Sequence, residues 1–322
     1  MPYTLPLTSY PCKMLCIAGP TASGKSSRAV EEALTRNGEI ISVDSRQVYR
    51  GLDIGTEKIT AEEMKGVPHY LIDIRNPKET YSAGDFVQDA TRLITEITAR
   101  GKLPILVGGT HFYFDALLYG LPMDTDVNPA LREELEKLTN EELYARIHTA
   151  DPRRAGELDP MNRRRLIRAL EIIASLGSVP ARCTMSHAIA ENKVHAGRYE
   201  VEWIVIDPPR EKLRKRIDAR LESAFARGLI DEVRRVREEL AKPARGGSPD
   251  ASCERDAFRA DTRLNELGLE YRIVGEYLSH SAEATRDAAR LKEELLPVLS
   301  AKLWQYARRQ KAWLRKLGHD VS

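Results

Sequence analysis

Along the first third of the chain, short apolar runs alternate with stretches whose apolar residues recur three and four positions apart. Met14–Ala18, Glu39–Val43, Tyr70–Ile74 and Leu103–Val107 have the length and composition of strands. Between the last two, Phe86, Ala90, Leu93 and Ile97 place one apolar stripe along Ala83–Arg100, the period of a helix with a buried face. Helices are also expected over Lys25–Leu34 and His111–Leu118. Strand–helix alternation of this kind predicts a parallel sheet covered on both faces.

From Leu121 to Ala181 the strand signal stops and helix starts take over. Asn128-Pro129, Asp151-Pro152 and Asp159-Pro160 each put a capping side chain before a proline. Thr139 with Glu142 reads as a capping box, and Gly177 as a C-terminal stop. A strand returns at Glu202–Ile206, followed by Asp207-Pro208-Pro209 and another helix. The helical block therefore reads as an insertion into the sheet. Lys242–Thr262 is rich in Gly, Ser, Pro, Arg and Asp, lacks a hydrophobic period, and is expected to be a mobile loop. Leu291–Leu317 is expected to be a basic helix with Trp304, Ala307, Lys311 and Leu314 along one face.

The most specific local pattern is Gly19-Pro-Thr-Ala-Ser-Gly-Lys-Ser26, which matches the phosphate loop G-x-x-x-x-G-K-[ST] at every fixed position, between a strand and a helix. Backbone N–H groups of Gly19, Thr21, Ala22, Ser23 and Gly24 can turn inward there, Lys25 adds a point charge, and Ser26 offers a hydroxyl to Mg²⁺. The fold class expected is therefore α/β: a P-loop-type parallel sheet flanked by helices, with an inserted all-helical subdomain. Residues 1–120 and 199–322 would form the core with its basic tail, and 121–198 the insertion. The loop alone leaves open whether it holds a nucleotide, ATP included, or another diphosphate.

In open α/β sheets ligands bind beyond the carboxyl ends of the strands. Asp44 ends the second strand and Thr110 follows the fourth, after Gly108-Gly109. Phosphate-loop NTPases commonly end a later strand in a Mg²⁺-organising Asp. Leu103–Val107 runs into Gly-Gly-Thr instead, and Asp73 and Asp207 are weaker candidates. Plain ATP hydrolysis is thereby disfavoured, and Asp44 is free to act as a base; a helix cap or a metal-shell carboxylate are the alternatives. Thr110 either polarises a bridging oxygen or caps the following helix. Arg163, Arg164, Arg165 and Arg168 cluster at one helix start, and Arg216 and Arg220 stand four apart opposite Leu213, Ile217 and Leu221. Both clusters are either phosphate contacts or solvated faces.

Composition narrows the partners. With 50 Lys+Arg against 48 Asp+Glu in 322 residues, the net charge is only +2, so any nucleic-acid surface must be a local patch. Cys12, Cys16, Cys183 and Cys253 lack zinc spacing and are expected to be reduced thiols, and no H-x-x-x-H pair occurs. No run approaches transmembrane length, and the start of the chain reads as a strand rather than a signal. A cytoplasmic monomer without membrane contact is expected.

The motifs taken together resemble the tRNA dimethylallyltransferase (tRNA isopentenyltransferase) family. The resemblance runs through the phosphate loop, Ser42-Val-Asp-Ser-Arg-Gln-Val-Tyr49, Asp53-Ile-Gly-Thr56 and Pro68-His-Tyr-Leu-Ile-Asp73. It continues through Tyr81-Ser-Ala-Gly-Asp-Phe86, Val107-Gly-Gly-Thr-His-Phe-Tyr113, Arg164-Arg-Leu-Ile-Arg-Ala-Leu-Glu171, Arg216-Ile-Asp-Ala-Arg220, Tyr271-Arg272 and Tyr306-Ala-Arg-Arg-Gln-Lys-Ala-Trp313. It covers nearly the whole chain in family order. It implies transfer of a dimethylallyl group from dimethylallyl diphosphate to the exocyclic N6 amine of the adenosine 3′ of the anticodon in tRNA. It implies that the phosphate loop, with Lys25, Ser26 and Arg220, holds the diphosphate and its Mg²⁺. It makes Asp44 the base, Thr110 the residue at the bridging oxygen, Asp44 with Ser45, Arg46 and Gln47 contacts to the target nucleotide, and Arg164, Arg165 and Arg168 tRNA contacts. Glu270 departs from the pattern, standing where many members carry glycine, and Trp304, Ala312 and Lys242–Thr262 depart as well. Two other readings remain: an adenylate (free-nucleotide) isopentenyltransferase, against which the insertion and basic tail speak, and a nucleotide-dependent switch without transfer chemistry.

Overall fold

The computed structural model describes residues 11–120, 128–180, 198–242, 253–280 and 288–316. Five parallel strands form one sheet: β1 (Cys12–Ala18), β2 (Gly38–Val43), β3 (His69–Tyr70), β4 (Leu103–Gly108) and β5 (Tyr199–Val205), in the order β3-β2-β4-β1-β5. Apolar β2 is buried along its whole length and β1 and β4 nearly so, as expected for strands covered on both faces. In-register pairing of Val43 with Gly108 and of Ala18 with both Gly108 and Val205 brings four strand ends to one edge. Helices α1 (Lys25–Arg36), α2 (Ala61–Met64), α3 (Ala83–Ala99) and α4 (His111–Tyr119) complete the first part, and α3 buries Phe86, Ala90, Leu93, Ile94 and Ile97.

The third strand is shorter than its apolar pattern predicts. Leu71 (φ 63°) and Asp73 (φ 56°) turn the chain out of the sheet. Asp73 is drawn to the buried Lys58 Nζ at 2.5 Å, which also holds Asp53 at 2.5 Å and the Tyr49 carbonyl at 2.9 Å. Two carboxylates and a carbonyl around one buried ammonium outweigh two or three further ladder bonds at a sheet edge.

By contacts the chain divides into two compact units, residues 1–118 with 197–322 and residues 119–196. The second contains α5 (Pro129–Leu135), α6 (Asn140–Ala150), α7 (Pro152–Glu157) and α8 (Arg163–Leu176). Asn128, Thr139, Asp151 and Asn162 cap these four helices through side-chain oxygens, and left-handed Gly177 (φ 79°) ends the last. Asp159, expected to open a helix, instead closes a turn by accepting from Met161 N, and Asn162 caps α8. Leu135, Leu143, Ile147, Ala155, Leu166 and Leu170 form the unit's own core.

After β5 the first unit continues with α9 (Arg210–Ala226), α10 (Leu229–Ala241), α11 (Cys253–Leu267), α12 (Leu269–His280) and α13 (Ala288–Lys316). Residues 243–252 of the expected mobile loop lie outside the described residues, but from Cys253 the chain is helical. Ala260, Leu264 and Leu267 supply α11's buried stripe, and Arg237 pairs with Asp261 at 2.6 Å. Of these three buried residues, Leu264 and Leu267 lie beyond Thr262, outside the stretch expected to be a loop. On α13 the expected face is confirmed at Ala307, Lys311 and Leu314, but the buried row runs through Leu303, not Trp304. Trp304 is half-buried, and the Arg210 and Arg214 guanidiniums lie 5.6 and 5.8 Å from its ring centre. Among the described cysteines, Cys12 and Cys16 are free thiols.

Candidate active site

The phosphate loop leaves the buried end of β1 and enters α1 through Gly24, whose left-handed backbone (φ 95°) disfavours a side chain. Ala22 adopts a left-handed conformation as well (φ 60°). Lys25 Nζ donates to the Pro20 carbonyl at 2.8 Å, curling over the loop's mouth. Burial lowers the Lys25 pKa to about 8; the charge of Asp44 opposes this and that of Arg220 reinforces it. Ser26 is exposed at the first turn of α1.

Helix α9 turns Arg216 and Arg220 toward this loop and buries Leu213, Ile217 and Leu221 on the opposite side. Arg216 donates to the Ser23 carbonyl at 2.8 Å. Arg220 donates to Thr21 Oγ1 and, at 3.1 Å, to the Gly55 carbonyl. Its Nε is 2.7 Å from Glu57 and its Nη2 is 3.2 Å from Glu270. The solvated-face reading of this cluster is therefore wrong. Backbone N–H groups of Asp53, Ile54 and Gly55 in turn all donate to the buried Glu232, which also accepts Tyr271 Oη at 2.6 Å.

Asp44 follows β2. Its Oδ1 accepts the backbone N–H groups of Arg46 at 2.8 Å and Gln47 at 3.2 Å, which fixes the carboxylate's orientation. Among the described residues no donor takes its Oδ2. The Thr110 hydroxyl accepts from Ser45 N at 3.1 Å and lies 3.4 Å from Ser45 Oγ. It thus ties the end of β4 to the turn after β2 rather than capping α4. Gly108 is required by the sheet itself, because a Cβ there would fall 2.0 Å from the Val43 carbonyl.

Asp44, Ser45, Arg46, Gln47, Thr110, Arg220 and the loop from Thr21 to Ser26 all line one cavity of about 780 Å³. Gln47 contributes little free polarity: its amide donates to the Thr56 and Glu57 carbonyls at 3.2 Å each and accepts Ser42 Oγ at 3.3 Å. The other two strand-following aspartates are committed elsewhere, Asp73 to Lys58 and the buried Asp207 to Lys311 at 3.1 Å. Arg164 and Arg165 are exposed on α8, and Arg168 pairs with the buried Glu171 at 3.2 Å. Arg163 is a brace, donating to the Glu136 and Leu138 carbonyls at 2.7 Å each.

Sequence reasoning named neither Gln310 nor Glu57 as a site residue. Gln310, 3% exposed on α13, accepts Thr21 N at 2.7 Å and donates to the Gly109 carbonyl at 2.9 Å. It joins the phosphate loop to the Gly-Gly-Thr turn. Nearby, Trp313 stacks on His111 with ring centres 4.2 Å apart and donates to Asp115 at 3.0 Å. Burial, helped by the charge of Lys25, holds the His111 pKa down to about 3, so the imidazole is neutral. Gln310 and Trp313 both fall in the tail motif Tyr306–Trp313, which was the available signal.

A family profile described as IPP transferase matches residues 47–317. A tRNA dimethylallyltransferase of Thermomicrobium roseum is 39% identical over 309 residues, covering 94% of this chain and 84% of the relative. One from Anoxybacillus flavithermus is 43% identical over 228 residues, covering 70% of this chain and 71% of the relative. Among solved structures, a tRNA isopentenylpyrophosphate transferase of Bacillus halodurans is 36% identical and superposes with a TM-score of 0.59, over 94% of this chain and 87% of that one. A eukaryotic dimethylallyltransferase captured acting on tRNA is 26% identical with a TM-score of 0.71, over 96% and 72% of the two chains. A P-loop-type sheet, a cavity joining Asp44 to the phosphate loop, and relatives matching over nearly the whole length lead to one conclusion: the chain belongs to the IPP transferase family.

Proposed function

We propose that this protein transfers a dimethylallyl group from dimethylallyl diphosphate to the N6 amine of the adenosine 3′ of the anticodon in tRNA, acting as a cytoplasmic monomer. The observation that carries the reading is the shared cavity: an oriented carboxylate with one free oxygen opposite a cationic phosphate loop. The exocyclic amine of adenine is a weak nucleophile, and Asp44 Oδ2 would accept its proton as the new C–N bond forms. The bond from the prenyl carbon to the diphosphate oxygen breaks in the same step. Lys25, Arg220 and the N–H groups of Ala22 and Gly24 would receive the charge that collects on the leaving diphosphate; contrary to expectation, Thr21 N is spent on Gln310 and Ser23 N on the Pro20 carbonyl, and Gly19 does not line the cavity. Thr110, whose hydroxyl accepts from Ser45 N and donates only over a long 3.4 Å contact to Ser45 Oγ, is free to turn its proton toward the bridging oxygen. Ile59, Ile72, Leu269 and Leu303 give the same cavity an apolar lining suited to the prenyl chain.

The residues present fit Mg²⁺ bound as its diphosphate complex. Ser26 offers one hydroxyl, and among the described residues no group of three or more His, Cys, Asp or Glu could hold a metal unaided. Mg²⁺ commonly binds through few protein ligands plus phosphate oxygens and water. It would supply charge neutralisation on the leaving group. Since Asp73 and Asp207 are both paired with lysines, neither is placed to organise a metal for ATP hydrolysis.

The target base must leave its stack to reach such a cavity. Ser45 and Arg46 line its wall, and the exposed Arg164 and Arg165 with Arg168 would contact the tRNA backbone from the helical unit. The test is incorporation of labelled prenyl donor into unmodified tRNA, with AMP or ADP as parallel acceptors and ATP hydrolysis measured without donor. Transfer to tRNA alone is expected. Transfer to AMP instead would mark a free-nucleotide enzyme, and robust ATP turnover would overturn the diphosphate reading of the loop.

A further inference from the structure

Arg220 has five N–H donors, and three are already hydrogen-bonded, one to Thr21 and those of Nη2 to the Gly55 carbonyl and Glu270, while its Nε stands 2.7 Å from Glu57 as an ion pair. A diphosphate entering the loop therefore meets an arginine largely engaged by the protein. The two carboxylates on it are not equivalent. Glu57 has a second cation, Arg227, whose Nη2 lies 2.8 Å from its Oε1, and its side chain is 41% exposed. Glu270 is 8% exposed in the first turn of α12, and Arg220 is the one cation within bonding distance among the described residues. When a ligand phosphate takes Nη2, Glu57 keeps a partner and solvent, whereas Glu270 is left buried and unpaired. A carboxylate in that position is costly, and the accessible remedy is protonation.

We infer that Glu270 holds the donor's place on Arg220 and that the diphosphate displaces it, Glu270 taking up one proton from solvent as it does so. This rests on the reading of the cavity as a diphosphate site. It makes Glu270 a determinant of donor affinity. The surroundings favour the exchange. Burial raises the Glu270 carboxyl above its ordinary range; Arg220 and its own backbone N–H oppose the rise, and the charges of Asp44 and Glu57 add to it. Arg46, Lys25 and Arg216 line the same cavity, as does Tyr306 from α13. Of these, Lys25 also titrates near the working range, at about pH 8.

Isothermal titration of the full chain with inorganic pyrophosphate and Mg²⁺, in buffers of different ionisation enthalpy from pH 5 to 8, tests this. Wild type is compared with Glu270→Gln and Glu270→Gly, each checked for an unchanged circular dichroism spectrum. Titration of the ligand and of Lys25 is common to all three and cancels in the comparison. Within part of that range, wild type should take up to about one proton more per pyrophosphate than either variant. There its Kd should rise by up to about tenfold more per pH unit than theirs. Both variants should bind more tightly than wild type at the alkaline end. Equal proton uptake with parallel pH profiles would overturn the inference even if the variants bind more tightly, because that alone follows from removing a negative charge. Weaker binding by both variants at every pH would make Glu270 a support for Arg220 and overturn it too. No binding by any of the three would overturn the diphosphate reading itself.

Discussion

Asp44 shows how a single carboxylate is prepared for one task. Its Oδ1 is spent on two backbone N–H groups, and Oδ2 is left to the cavity. Replacing it with alanine should lower the single-turnover rate about 10²- to 10⁴-fold while leaving the tRNA Kd unchanged. Loss of tRNA affinity with normal turnover would contradict its role as base. Lys25 carries a pH signature of its own. Its pKa is lowered to about 8, so the charged form that an anion requires is present below that pH and lost above it. Pyrophosphate affinity should therefore fall as pH rises past about 8. In Lys25→Ala, affinity should be about 10- to 100-fold weaker at pH 7, and this alkaline limb should be missing. A titration curve with the same limb in the variant would assign it elsewhere. Asp44, Thr110 and the phosphate loop were legible from sequence because each follows a strand at the same edge, so one topological rule gathers them. Glu57 and Gln310 were not, because their importance lies in which partners folding brings to them.

At the scale of elements, α13 closes the site from the far end of the sequence. Gln310 links Thr21 N to the Gly109 carbonyl, and the neighbouring Lys311 pairs with Asp207 after β5. Two strand-end turns 88 residues apart in sequence, at Thr21 and Gly109, are thus fastened to one amide. A misplacement of about 1 Å in such a constellation costs on the order of 100-fold in rate. Gln310→Ala should lower kcat about 10- to 100-fold. In a double-mutant cycle with Thr110→Ala the two losses should fall well short of additive, because Gln310 acts partly through the Thr110 turn. Additive losses would reduce Gln310 to general stabilisation. The elements that sequence misjudged share a cause. The third strand was cut short by Lys58, an ion-pair centre whose partners lie 5 and 15 residues away. Helix α11 was hidden because it opens inside a charged, Gly- and Pro-rich stretch, and two of its described buried residues, Leu264 and Leu267, lie beyond that stretch. Local pattern carries burial and capping well, as the caps at Asn128, Thr139 and Asp151 show, but not the pull of a distant charge.

For the whole molecule, the residues lining the candidate cavity all belong to one unit, and the helical unit carries Arg164, Arg165 and Arg168 on α8. A net charge of +2 gives little general attraction for RNA, so tRNA affinity must come from such local groups. Arg164→Ala should weaken tRNA binding and lower the salt dependence of log Kd by about one, with pyrophosphate affinity unchanged. An unchanged tRNA Kd would return that arginine to the solvated surface. No helix among the described residues is long and apolar enough to cross a membrane. The most direct test of the account joins both units in one reaction. The purified chain is incubated with dimethylallyl diphosphate, Mg²⁺ and unmodified tRNA whose anticodon is followed by adenosine, and the digested nucleosides are analysed by mass. One dimethylallyl group is expected on that adenosine and none elsewhere, absent when Asp44 is alanine. Unmodified tRNA alongside prenylated AMP, or an undiminished yield from the Asp44→Ala protein, would contradict it.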